Sequence, residues 1–293
     1  MALRLLDGIR DWPLALLALL ALVAFLSGCA ATGPAELWSK NVVRSGPSGF
    51  QAQDFSTPPF HLAGLLKVQS PGDDLVVYLE GDGRGVSRGR VTQDPTPREA
   101  MTLELALQDP APRVLYLARI GQYMPAYATK ANSPYWSHAR LAPEAVEAAS
   151  EAIDQAKLKA SARHVHLVGF SGGGGLAILL AERRGDVLSV VTVAGLLDTD
   201  WWVRQRKYLP LSLSLNPADK SGDIVGLPQL HLYGTDDPLI PPEMSMEYAS
   251  RHPFRKLSRV GVPARHDKGW TERWKALLSQ YVLPFRGEAS ASP

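Results

Sequence analysis

The chain has 293 residues, enough for one α/β core of ordinary size. Its 31 lysines and arginines against 29 acidic residues leave a net charge of +2, and no basic stripe points to nucleic acid. With 45% of residues hydrophobic, composition excludes a disordered chain. In chain order the first element is an uninterrupted apolar run, LALLALLALVAFL (14–26), preceded by Arg4 and Arg10 with Asp7 and Asp11 offsetting them. That is the length of a signal-peptide apolar region and short for a bilayer span. From about residue 50, short apolar runs alternate with helical periods, which predicts βα units around a mainly parallel sheet with helices on both faces. Strands are expected at 60–68, 75–79, 113–118, 164–168, 187–193, 229–233 and 255–260. Helices are expected at 97–107, 142–158, 173–184, 242–251 and 270–281, with Gly185 as a stop for the third. Two connections break the rhythm, 121–140 and 196–226. Long connections of this kind often carry specificity.

The stretch HVHLVGFSGGGG (164–175) runs an apolar segment into a serine, then four glycines, then LAILLAERR. Gly169-Phe170-Ser171-Gly172-Gly173 fits the pattern G-x-S-x-G, and so does Gly85-Val86-Ser87-Arg88-Gly89. A nucleophile elbow needs a strand entering, a strained turn and a helix leaving, with small residues where strand and helix pack tightly. Ser171 has these neighbours. Ser87 has Arg84, Arg88 and Arg90 around it and reads as loop. Ser171 is therefore the candidate nucleophile, and the backbone N–H of Gly172 the candidate oxyanion donor. His164 and His166 alternate along one strand and read as packing or surface residues. His231 reads as structural, and His61, His138 and His252 have no catalytic neighbours by pattern. No histidine–carboxylate spacing suggests zinc, and no metal or cofactor is expected.

Leu26-Ser27-Gly28-Cys29, directly after the apolar run, resembles the lipobox of bacterial lipoproteins, whose cysteine receives the lipid after cleavage. Cys29 is the only cysteine, so no intrachain disulfide can form. The resemblance implies a signal peptide at 1–28, a lipidated tether at 29–49, a catalytic domain at 50–286 and a C-terminal tail at 287–293. Ala30 after the cysteine resembles the signal for outer-membrane sorting. The expectation is a domain anchored in the cell envelope by acyl chains on Cys29, facing the periplasm.

The segment around Ser171, with YLEGDG, SPYWSHARLAPEAV, VAGLLDTDWW and SLNPAD, resembles a group of bacterial α/β-hydrolase-like lipoproteins, and the likeness covers nearly all of 50–285. The family implies the α/β-hydrolase fold and an acid and a histidine downstream of the serine. HLYGTDDPLIP (231–241) looks like the family's acid loop. Its matching acid is Asp237, with Asp236 as rival. VPARHDKGW places His266 where the family's histidine stands, and the order Ser171, Asp237, His266 is the family's order. The loop after the strand at 75–79, Glu80-Gly81-Asp82-Gly83, corresponds to the family's His-Gly motif, with Glu80 in the histidine's place. It implies a second oxyanion donor, the N–H of Asp82 or alternatively of Gly81 or Gly83. A carboxylate there opposes an oxyanion, so either Glu80 or Asp82 pairs with Arg84, Arg88 or Arg119, or the carboxylate recognises a cationic substrate. The aromatics Tyr123, Tyr127, Tyr135, Trp136, Trp201 and Trp202 are either acyl-pocket walls or ordinary packing; Tyr123 and Trp136 stand as substrate-binding candidates with Gly81 and Gly83. The resemblance implies an esterase, lipase or thioesterase acting as a monomer on a small acyl substrate. The competing expectations are a non-catalytic envelope lipoprotein that binds through the same fold, and a serine peptidase.

Overall fold

Both faces of β3 (Asp74–Leu79) are apolar, and successive side chains point to opposite sides of a sheet. Leu75, Val77 and Leu79 enter one core layer, while Val76 and Tyr78 enter another. A strand buried on both sides needs helices above and below it, which is the logic of a parallel sheet. The computed structural model describes residues 33–219, 224–252 and 256–291. The expected signal peptide, Cys29 and Ala30 lie outside them.

Eight strands form the main sheet: β1 (Phe50–Thr57), β2 (Phe60–Val68), β3, β6 (Arg113–Leu117), β7 (His164–Phe170), β8 (Val187–Val193), β9 (Gln229–Gly234) and β10 (Leu257–Val262). Their spatial order is β1-β2-β6-β3-β7-β8-β9-β10. β1 and β2 pair antiparallel, as do β2 and β6. From β6 to β10 every pairing is parallel. A separate hairpin joins β4 (Val86–Ser87) and β5 (Arg90–Val91). The expected mainly parallel α/β sheet is present.

One core layer takes in α3 (Pro143–Ala160), the fully buried α4 (Gly172–Ala181) and α6 (Pro242–Arg251). The other takes in α2 (Met101–Leu107), α7 (Thr271–Leu277) and the π turn Leu278–Val282. The connection 196–226, expected to be irregular, contains α5 (Thr199–Arg206). Asp198 caps it by accepting from the Trp201 N–H at 2.9 Å.

Two expected boundaries need correction. The stretch read as tether contains α1 (Pro34–Ser45), whose Leu37, Trp38 and Val42 pack on the second core layer. Trp38 lies 5.3 Å, centroid to centroid, from the ring of Tyr123. The packed unit therefore starts at Pro34 rather than at residue 50. At the other end, α8 (Leu283–Ser290) takes in residues 287–290 of the expected tail. Arg286 pairs with the buried Asp109 at 2.9 Å, and Asp109 also accepts from the Tyr78 hydroxyl at 2.6 Å. The Ser290 hydroxyl lies 3.1 Å from His166 Nε2 and 3.0 Å from Asp74 Oδ2. Apolar burial at α1 and a buried ion pair at α8 dock both ends.

Candidate active site

In an open parallel sheet the loops after the strand C-termini gather along one edge, and sites form there. Here the loops after β3, β7, β9 and β10 meet. Ser171 follows β7 directly and starts α4. Its φ of 53° and ψ of −120° lie outside the regions that ordinary side chains prefer. Its N–H donates to Val193 at 3.0 Å, and its carbonyl accepts from Gly174 and Leu196, each at 2.9 Å. The glycines make the turn possible by close approach. A Cβ on Gly169 would lie 2.1 Å from the carbonyl oxygen of Gly173, and one on Gly173 would lie 2.2 Å from that of Leu79.

His266, in the loop after β10, places Nε2 3.0 Å from Ser171 Oγ. Its Nδ1 is 2.8 Å from Asp237 Oδ2. Asp237 is buried, and its Oδ1 accepts from the N–H groups of Leu239 (2.8 Å) and Ile240 (2.9 Å). With the Nδ1 proton directed at this fixed carboxylate, Nε2 is left to accept the serine hydrogen. Asp236, the rival acid, is exposed and accepts from the Thr235 hydroxyl at 3.2 Å. Ser87 stands in the exposed β4–β5 hairpin. His166 and His231 sit in the sheet, bonded to Ser189 and Thr192 at 2.8 Å each.

Gly172 is the first residue of α4, so its N–H has no acceptor within the helix. The loop after β3 passes close to it: a Cβ on Gly172 would lie 2.2 Å from Asp82 Oδ1. The two carboxylates of this loop are handled differently. Glu80 turns into the core, where its carboxylate accepts from Thr102 (2.6 Å), Tyr116 (2.8 Å) and the Gly81 N–H (2.9 Å). Burial raises its pKa in spite of these donors. Asp82 pairs with Arg140 at 2.7 Å and Arg119 at 3.4 Å. Burial alone would raise its carboxyl, but the two guanidiniums outweigh that and hold it below the ordinary value. The expected pairing with Arg119 is present, and those with Arg84 and Arg88 are not. Arg140 was not foreseen as a partner, because nothing in local spacing links it to a residue 58 positions earlier.

A cavity of about 1070 Å³ opens onto Ser171 and His266. Gly81 and Gly83 line it, but Tyr123 and Trp136 do not. The correction has a physical cause. Tyr123 is buried between Trp38 and the Tyr116 hydroxyl, and Trp136 is buried with its Nε1–H on the Thr92 carbonyl at 3.0 Å. Tyr127 stacks on His61 and Tyr135 packs on Phe60. Of the six aromatics only Trp202 reaches the cavity, with its Nε1–H on the Leu239 carbonyl at 2.9 Å. His138, set aside on pattern, also lines it. Among the described residues no group of three or more histidine, cysteine or acidic side chains could hold a metal ion, and no helix is long and apolar enough to cross a membrane.

No family model matches the chain, and no curated protein matches it. Solved structures do. An esterase of Pyrococcus furiosus, Pf2001, superimposes with a TM-score of 0.58 at 15% identity over 83% of this chain and 96% of that one. Est1E from Butyrivibrio proteoclasticus gives 0.56 at 12% identity over 80% and 99%. A bacterial membrane phospholipase A gives 0.52 at 17% identity over 97% and 100%.

Proposed function

We propose that this chain, which has the α/β-hydrolase fold, is a serine hydrolase that cleaves an ester-type acyl substrate through an acyl-enzyme. The observation that carries the reading is the hydrogen-bond chain from Ser171 Oγ through His266 to Asp237, at 3.0 and 2.8 Å. In this reading His266 Nε2 takes the proton as Ser171 Oγ attacks the carbonyl carbon. Asp237 holds the ring and stabilises the imidazolium. The tetrahedral oxyanion rests on the N–H groups of Gly172 and Asp82. His266 then hands its proton to the leaving group, and a water deprotonated by the same nitrogen releases the acid. The ion pairs on Asp82 answer the objection that a carboxylate there would oppose the developing charge, since Arg119 and Arg140 neutralise it.

A fluorophosphonate probe tests this directly. Wild-type protein is expected to be labelled on Ser171, and Ser171→Ala is not. A folded wild type that resists labelling, with His266→Ala no different from it in ester turnover, would end the reading. Losing Ser171 or His266 is expected to cost on the order of 10⁶ in kcat. An ester series of rising chain length separates esterase from lipase action.

The reading extends to location. Cys29 is the acylation site and holds the domain at the envelope, with α1 beginning five residues later at Pro34. Metabolic labelling with palmitate is expected to mark the wild type and to fail on Cys29→Ala; equal labelling of both would refute the anchor.

A further inference from the structure

Two of the cavity's four carboxylates are committed, while most of its cations are not. Glu80 is held by three donors and Asp82 by two arginines. On the rim only the exposed Glu99 and Asp267 remain. Against them stand Arg84, Arg88 and Arg98 from the connection between β3 and α2, and Lys207 from the end of α5, none paired with a carboxylate among the described residues. A cleft with an excess of unpaired charge of one sign and apolar walls concentrates ligands of the opposite sign.

Backbone conformation gives a second, independent observation. Arg88 sits at φ 50° in the β4–β5 turn, beside Gly89 at φ 74°. Turns of this kind favour Asn, Asp or Gly at both central positions. Lys207 caps the C-terminus of α5 at φ 53°, where glycine is the usual residue. Two of the four cations thus occupy positions that an uncharged glycine would fill with less strain.

The same mouth is apolar. Leu209 is 85% exposed and Tyr208 48%, on the segment after α5; Val86 and Val91 face the cavity from the hairpin at 46% and 50%. Exposed apolar side chains gathered at one opening mark a surface that is covered in use.

We infer that the substrate is an anionic amphiphile: its acyl chain lies on the apolar wall, and a phosphate- or carboxylate-type group is held by Arg84, Arg88, Arg98 and Lys207. This rests on the hydrolase reading and narrows its substrate class. It also disfavours a cationic substrate, since the two carboxylates nearest the nucleophile loop, Glu80 and Asp82, are committed, and the free cations outnumber the free rim carboxylates Glu99 and Asp267. The anionic group could belong to a free ester or to a lipid in a bilayer, and the experiment distinguishes these.

The test is a binding measurement, so it does not depend on turnover. Full-length Ser171→Ala protein in non-ionic detergent is titrated with hexyl phosphate and with hexanol by calorimetry. Hexyl phosphate is expected to bind at least about tenfold tighter, the scale of one charge-assisted contact, and the preference is expected to shrink as salt rises. Arg88→Gly with Lys207→Gly relieves both backbone positions, so the double variant is expected to fold at least as stably while losing most of the preference. Arg163→Gln, an exposed arginine pairing with Asp73, is expected to keep it. Next, the protein is placed in phosphatidylcholine vesicles with or without phosphatidylglycerol. If the anionic lipid displaces hexyl phosphate, the ligand is a bilayer lipid; if it does not, the ligand is a free ester. Equal affinity for hexyl phosphate and hexanol, or a preference that the double variant retains, overturns the inference. Fluorophosphonate labelling of the wild type reports separately on the hydrolase reading.

Discussion

Asp236 and Asp237 are neighbours in sequence with opposite surroundings. The first is exposed; the second is buried, fixed by two backbone N–H groups and 2.8 Å from His266. Asp237→Asn is expected to lower kcat by about 10⁴, because an amide no longer selects the ring tautomer that accepts from serine. Asp236→Asn is expected to change kcat less than twofold, as an exposed side chain outside the relay. Steady-state kinetics on one ester checks both, and equal losses would reassign the acid. Gly172 makes a second residue-scale prediction. A methyl there would meet the Asp82 carboxylate, which two arginines hold in place. The loop carrying the second donor must then shift, so Gly172→Ala is expected to lower kcat by about 10²–10³, the usual cost of one oxyanion donor. The unfolding midpoint is expected to move far less than kcat does.

At the scale of elements, α1 separates a packed domain helix from a loose connector. Its exposed face is charged, with Lys40 and Glu36 paired at 2.8 Å, while Leu37, Trp38 and Val42 face the core. Trp38→Ala removes a large ring from Tyr123 and is expected to destabilise the domain by about 1.5–3 kcal/mol in urea unfolding. A mere tether would give no change. The β4–β5 hairpin matters differently. It has no part in the main sheet, yet it brings Val86, Arg88 and Val91 to the cavity. The loop after β3 is in turn tied to α2 and β6 through Thr102 and Tyr116, so these two elements help to fix where Gly81 and Asp82 stand.

For the molecule as a whole, buried histidines, His166 and His231 among them, weaken stability in mild acid. Burial pulls His166 down to about 4, with Arg286 adding to it, and burial pulls His231 down to about 3, with Arg259 adding to it. Both are neutral when folded, whereas in the unfolded chain they take up a proton near 6.5. Their contribution is therefore complete above pH 6.5 and is lost as pH falls from 6.5 toward 4, on the order of 3 kcal/mol each. Glu80, raised by burial, acts in the opposite sense as pH falls. The unfolding midpoint is expected to drop markedly between pH 7 and pH 5. His231→Phe keeps a ring against Tyr248 but removes the titrating group, so it is expected to shrink that drop even if it costs stability at pH 7. An unchanged drop would show that His231 is not responsible.

The strands β2 and β8 and the helix α6 fall at the residues expected from sequence, and the elbow around Ser171 forms as its spacing implied. These are local matters: an apolar run with turn residues beside it, or glycines where backbones must touch, is written in consecutive letters. β1 was missed because it is an edge strand with few buried side chains, so its pattern is mostly polar. α1 was missed because its apolar residues are only part-buried and mean nothing until Tyr123 is placed beside them. By itself the sequence determined the mainly parallel sheet and the candidate Ser171, while Asp237, with Asp236 as rival, and His266 came from the resemblance. Only the tertiary structure decided that Glu80 faces the core, that Arg140 neutralises Asp82, that Tyr123 and Trp136 are packing, and that four unpaired cations share one cavity. The physical reason is distance along the chain: burial and charge pairing act through space, between residues whose separation no local pattern records.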